Sequence, residues 1–251
     1  MNKRESPGAR RFMEHLQRAR KLRREVITGA GLTPQQHALS AWQTERLAGT
    51  YADLAAQPRY RPAIEFFLSD LYGTKDFAQR DADLVRVYPI MVRVLSENAL
   101  QSMSLAVELH ALTQELDSQL LEVLSESNVD IGAHPGALDK ELYATAYREC
   151  DNYEQRRRQI ELIDETGRLL DEVVRHPWIM VSTRLARGPA HAAGLGELQD
   201  FIERGLKSFK RMKGADHFLK TIHDRETYIL EQIISGAPLT DWTADGLGSE
   251  Q

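Results

Sequence analysis

The sequence predicts an all-α fold, an irregular bundle of about nine helices, and three observations carry that expectation. Apolar residues recur at spacings of three and four along nearly the whole chain. No stretch alternates apolar and polar residues for long enough to read as a strand. Capping residues, glycines and prolines punctuate the chain at intervals of about one helix.

The first helix is expected from about Pro7 to Gly29, with Phe12, Leu16, Ala19, Leu22 and Ile27 as its apolar stripe. The second opens on a capping box, with Thr33 as N-cap, Pro34 at N1 and Gln36 at N3, and is expected to run to about Ala56, ahead of Pro58. The third begins at Pro62 and stops at Gly73. Asp76 and Gln79 then frame a second cap, for a helix that Pro89 should kink because the amide bond to Val85 is lost. Ser96-Glu97-Asn98 opens the next helix, to about Leu124, where Leu105, Leu109, Leu112, Leu116 and Leu120 share one face. Helices follow near 140–149, 153–175, 178–187, 196–212 and 216–235, with Arg187-Gly188-Pro189 as a break. A single helical domain over 1–235 is expected. The alternative is two halves, 1–124 and 139–235, joined by loop 125–138. Residues 236–251 are expected to form a disordered tail, with Trp242 as its one docking residue.

Composition narrows the function classes. With 42% hydrophobic and 27% charged residues, the chain resembles ordinary globular proteins and can bury a sizeable core. A net charge of -5 argues against bulk nucleic-acid binding. No apolar run reaches the ~18–20 residues that span a bilayer. The single cysteine, Cys150, rules out an intrachain disulfide and has no base placed to activate it. These features predict a cytoplasmic protein.

The densest segment is Phe66-Phe67-Leu68-Ser69-Asp70-Leu71-Tyr72-Gly73. On a helical wheel Phe67, Leu68 and Leu71 share a side with Ile64 while Phe66 falls opposite, so the helix is expected to be buried on both sides. Asp70 is then partly desolvated and needs a cation or several donors. A structural pair with an arginine or with backbone amides is one reading, and a ligand pocket containing Asp70 and Tyr72 is the other. Asp76, Arg80, Asp81 and Asp83 are expected to form surface ion pairs.

On the long helix His110 and Asp117 lie on one flank of the leucine face, seven residues apart, where polar groups of packed helices meet. They complete the ligand-pocket candidates. The repeated Glu-x-x-His pattern of a bundle metal site is missing, and only the reversed pair His223 and Glu226 shares a face. No metal or other cofactor is expected. Gln155-Arg156-Arg157-Arg158 is expected on a solvated face, paired as Glu154–Arg158 and Arg157–Glu161.

Charge is distributed unevenly. Residues 1–30 hold nine Lys/Arg against three Glu, while residues 65–130 hold twelve acids against four bases. The bland explanation packs the basic helix on the acidic one, within the chain or across a homodimer. The sharper one offers Arg10, Arg11, Arg18, Lys21 and Arg24 to a nucleic acid or another anionic partner.

The Phe66–Gly73 string with Asp76-Phe77 resembles a run found in a family of uncharacterised bacterial helical proteins, over most of the chain. The resemblance implies a fold and an origin, and no activity. Heme oxygenases carry a similar leucine–aspartate–leucine–glycine helix over the heme. Here Thr74 replaces that family's second glycine and His37 stands only thirty residues before Phe67, so order and spacing do not match. The expected function is binding of a protein partner or a small ligand. The alternatives are a metal- or cofactor-dependent enzyme with a polar pocket in the bundle, and a nucleic-acid binder.

Overall fold

The computed structural model describes residues 7–26, 32–71, 78–94, 97–127 and 129–248, and among these the secondary structure is helical with no strand. The first half comprises α1 (Pro7–Val26), α2 (Pro34–Thr50), α3 (Ala52–Ala56), α4 (Arg61–Phe66), α5 (Ala78–Val94) and α6 (Glu97–Glu126). The second comprises α7 (Lys140–Glu149), α8 (Tyr153–Arg175), α9 (Pro177–Ala192), α10 (Gly196–Met212), α11 (Asp216–Ser235) and α12 (Ala244–Gly248). The all-α expectation holds, with more and shorter helices than the pattern suggested.

Local chemistry sets many of the boundaries. The Thr33 hydroxyl accepts from Gln36 N at 3.2 Å and the Gln36 side chain accepts from Thr33 N at 2.8 Å, the expected reciprocal cap. Asp139 caps α7 by accepting from Leu142 N at 2.8 Å. Other boundaries answer to packing. The second helix was expected to reach Ala56 but stops at Thr50, because Tyr51 turns there to bury its ring and send its hydroxyl to Glu226 at 2.7 Å. The helix from Arg61 loosens into a π turn over Phe67–Leu71.

Two more expectations are corrected. The break at Arg187-Gly188-Pro189 does not occur, and α9 runs on to Ala192 with Pro189 inside it. Proline removes the amide that would bond the carbonyl four residues earlier, here that of Leu185, a residue on the exposed side of the helix. The segment after Gly236 is not a disordered tail over its described residues. Trp242 is 4% exposed, donates from its indole to Gln232 Oε1 at 3.0 Å, and accepts through its backbone from the Thr50 hydroxyl at 2.7 Å.

Among the described residues, the two largest apolar cores adjoin. The first gathers Leu47, Leu54, Ile64, Phe209, Phe218 and Ile222 from α2, α3, α4, α10 and α11. Gly167 lets α11 lie close on α8, since any side chain there would collide with Leu219. The second core gathers Leu39, Leu120, Leu124, Tyr143, Ile233 and Trp242. Outside both, α1 lies along α6 and buries Phe12 and Leu16 against Val107, with Phe12 stacked on Tyr88 at 5.5 Å. Arg18 pairs with Glu115, and His15 lies 3.6 Å from Glu108, so the basic helix meets the acidic one within the chain.

Candidate functional site: a polar cavity between two cores

A cavity of about 50 Å³ lies where the two cores meet. The first core contributes Leu47, Tyr51 and Ile222 to its wall, and the second contributes Tyr143, Ile229 and Trp242. Its polar wall comes from one face of each of five helices. Gln43 and Arg46 are a helical step apart on α2, Tyr143 and Tyr147 likewise on α7, while Asp117, Arg156 and Glu226 come from α6, α8 and α11. Arg46, Asp117 and Tyr147 are half-buried and line this space.

Arg46 and Glu226 form a closed pair. Arg46 Nη1 donates to Glu226 Oε1 at 2.5 Å, and the Tyr51 hydroxyl donates to the same oxygen at 2.7 Å. Burial works against the charge on Arg46, but the Glu226 carboxylate outweighs it and the guanidinium holds its proton more tightly than usual.

Arg156 is different. It is 3% exposed, lies over the Tyr147 ring with its central carbon 4.3 Å from the centroid, and donates from Nη2 to the Leu116 carbonyl at 3.2 Å. Its Nε–H is buried without a partner, and no carboxylate among the described residues forms an ion pair with it. Burial opposes its charge, and the nearby ionisable groups Tyr147, Tyr143 and Asp117 act in the opposite direction. Asp117 accepts from Gln43 Nε2 at 3.0 Å. Burial pushes its carboxyl above the usual range, against the pull of Arg156 and Gln43. Burial also raises the phenols of Tyr143 and Tyr147, which remain protonated donors at neutral pH. The cavity thus offers an unspent cationic donor, neutral hydroxyls, and a carboxyl group whose proton burial holds more tightly than usual. Its other side is aliphatic, built from Ile160, Ile163, Ile222 and Leu230.

Of the residues singled out in the sequence, Asp117 and Glu226 meet here. Asp70 does not line the cavity. It is 5% exposed and accepts from Arg204 Nη2 at 2.6 Å and Nε at 3.2 Å, which pins the π turn to α10. Its neighbour Phe67 does line the cavity, while Phe66 turns away against Phe201, with ring centroids 5.3 Å apart. Tyr72 lies outside the described residues. His110, two turns from Asp117, is half-buried and not part of the wall. His223 is exposed beside Asp224 at 3.5 Å, whereas Glu226 is committed to Arg46, so the pair does not converge. Among the described residues no three His, Cys, Asp or Glu side chains come together as metal ligands would. Arg10, Arg11 and Lys21 lie exposed on α1, Arg18 is paired, and the Arg24 side chain lies outside the described residues.

Sequence reasoning missed Arg156 and placed it on a solvated face. The structure corrects this. Arg156 keeps helical register with Ile160, Ile163, Gly167 and Val174, all buried on α8, and that register was its signal. Its neighbours do face outward, with Arg157 on Glu154 at 2.6 Å and Arg158 on Glu165 at 2.8 Å. Asp83, expected on the surface, is also buried, at 2% exposure.

Fold and site together define an all-helical protein with a charged cavity inside the bundle. The chain matches the family described as Domain of unknown function (DUF8198) over residues 22–240, and it belongs to that family. No curated protein and no solved structure matches it. No helix among the described residues is long and apolar enough to cross a membrane.

Proposed function

We propose that this chain is a cytoplasmic small-ligand-binding protein of bacterial origin, and that its cavity holds a small amphipathic monoanion. The carboxylate or similar head sits on Arg156, and a short apolar tail lies against the isoleucines of α8 and α11. The observation that carries the reading is the unpartnered Nε–H of Arg156 beside a cavity. A buried donor left unmade costs about 1–3 kcal/mol, more when charged, and an anion in the cavity recovers that cost. The size fits a head group, because a cavity of about 50 Å³ holds a few atoms and no more without movement of its walls. The reading calls for no metal, heme or other cofactor.

Thermal unfolding with acetate and butyrate against chloride, at constant ionic strength, tests it. Binding to the folded state alone raises Tm, by about 5 °C near one hundred times Kd. The rise should saturate, exceed that with chloride, disappear in Arg156→Met and persist in Arg204→Met. No carboxylate-specific rise, or an equal rise in Arg156→Met, overturns the reading.

A further inference from the structure

The helix α9 has no buried residue. Its inner side, with Ile179 and Met180, rests half-buried against the first core, and Thr183 is held through its carbonyl by Gln199 Nε2 at 2.7 Å. Its outer side carries Trp178, Val181 and Leu185 at 64%, 59% and 72% exposure. Gly188 and Ala192 continue the same line, so exposed residues follow the alternating three- and four-residue spacing of a coiled-coil seam. Nothing lies within 4 Å of where a Cβ on Gly188 would point, so the narrow end is open to close approach by another backbone. Large apolar side chains grouped this way on a surface mark an interaction site.

Charge selects the partner. The helix contains no Asp or Glu. Arg184 and His191 flank one side of the seam. His191 lies 3.2 Å from Asp200, while Arg184 is exposed and has no partner among the described residues. A second copy of α9 laid antiparallel would set Arg184 against Arg184 or His191. Laid parallel it would set Arg184 against Ser182 or Pro189, and neither arrangement supplies a carboxylate. We propose that the outer face of α9 docks an amphipathic helix from another protein, with an apolar seam flanked by acidic residues. The apolar seam supplies the affinity and the flanking charge supplies the choice of partner.

Two synthetic peptides of about three heptads, with the same leucine seam and either Glu or Lys at the flanking positions, are titrated against the full chain by fluorescence anisotropy. The Glu peptide is expected to bind about tenfold tighter at low salt, and Arg184→Glu should reverse the order of the two. Val181→Glu should abolish binding of both with unchanged circular dichroism, since the residue is exposed. Binding of neither peptide, or a preference that survives Arg184→Glu, overturns the proposal. So does self-association in light scattering that Val181→Glu abolishes, because the occupant is then a second copy. Binding to anionic phospholipid vesicles that Trp178→Ala removes also overturns it, because the face then meets a membrane.

Discussion

Asp70 and Arg156 are buried to nearly the same degree, at 5% and 3% exposure, and each carries a charge that burial penalises. They are treated in opposite ways. Asp70 receives both arms of the Arg204 guanidinium, an arrangement that fixes two helices against each other. Arg156 receives a carbonyl, an aromatic face and an empty space, and one of its donors is left over. A charge whose bonding is complete between two helices holds structure. A charge with a donor left over beside a cavity keeps binding capacity in reserve.

Removing the cation from each region should therefore give unequal results, and the largest effect is expected at Arg204. Arg204→Met strands the Asp70 carboxylate in the core. The cost is about 2 kcal/mol in urea unfolding, below the full value for a buried pair because Arg204 itself is half-exposed. Asp70→Asn in the same background should recover part of it. A loss under about 0.5 kcal/mol would mean that the pair does not clamp α10, and the contrast with Arg156 would collapse.

The uneven legibility of the two regions has a physical cause. The capping box at Thr33, the leucine face of α6 and the glycine that ends α11 are local, so a short window of sequence contains all the atoms involved. The burial of Asp70 was legible for the same reason, from the aromatics beside it. Its partner lies 134 residues away, and no local pattern points to Arg204. The cavity is harder still. Asp117 and Glu226 were both noticed, but one as a flank of the leucine face and the other as half of a metal pair. Their meeting depends on five helices packing together. Arg156 was masked by its own neighbours, because a run of three arginines reads as surface unless each is placed in register with Ile160 and Ile163. The docking of Trp242 rests on Thr50 and Gln232, the first of which is far off in the chain.

A smaller effect, of opposite sign, is expected at Asp117. Its folded pKa lies above the ordinary carboxylate value, so between the two values the folded state binds more protons than the unfolded chain. The stability this group contributes is present below the ordinary value and is lost as pH rises through the raised one. Asp117→Asn removes that loss while its amide oxygen can still accept from Gln43. The variant should match the wild type below about pH 4 and exceed it at pH 7 by about 1.4 kcal/mol per unit of pKa difference. Urea unfolding across that range checks the slope. A variant equally destabilised at every pH would mean that Asp117 is held as a carboxylate, with the Arg156 charge already spent on it.

The smallest effect on stability, and the sharpest for the comparison, is expected at Arg156. Replacing it with methionine removes the buried charge and its orphaned donor together, and keeps a long polarizable side chain against the Tyr147 ring. What is lost is one bond to the Leu116 carbonyl, worth about 1.5–3 kcal/mol when the donor is charged. What is gained is release from the desolvation of a guanidinium that no carboxylate among the described residues pairs with, a term of the same order. The two nearly cancel, so Arg156→Met should change unfolding free energy in buffer by less than about 1 kcal/mol, against about 2 for Arg204→Met. A loss as large as that of Arg204→Met would make Arg156 a structural residue whose bonding is already complete. Near-neutrality in plain buffer, combined with lost stabilisation by carboxylates, would separate a charge kept for binding from one kept for folding.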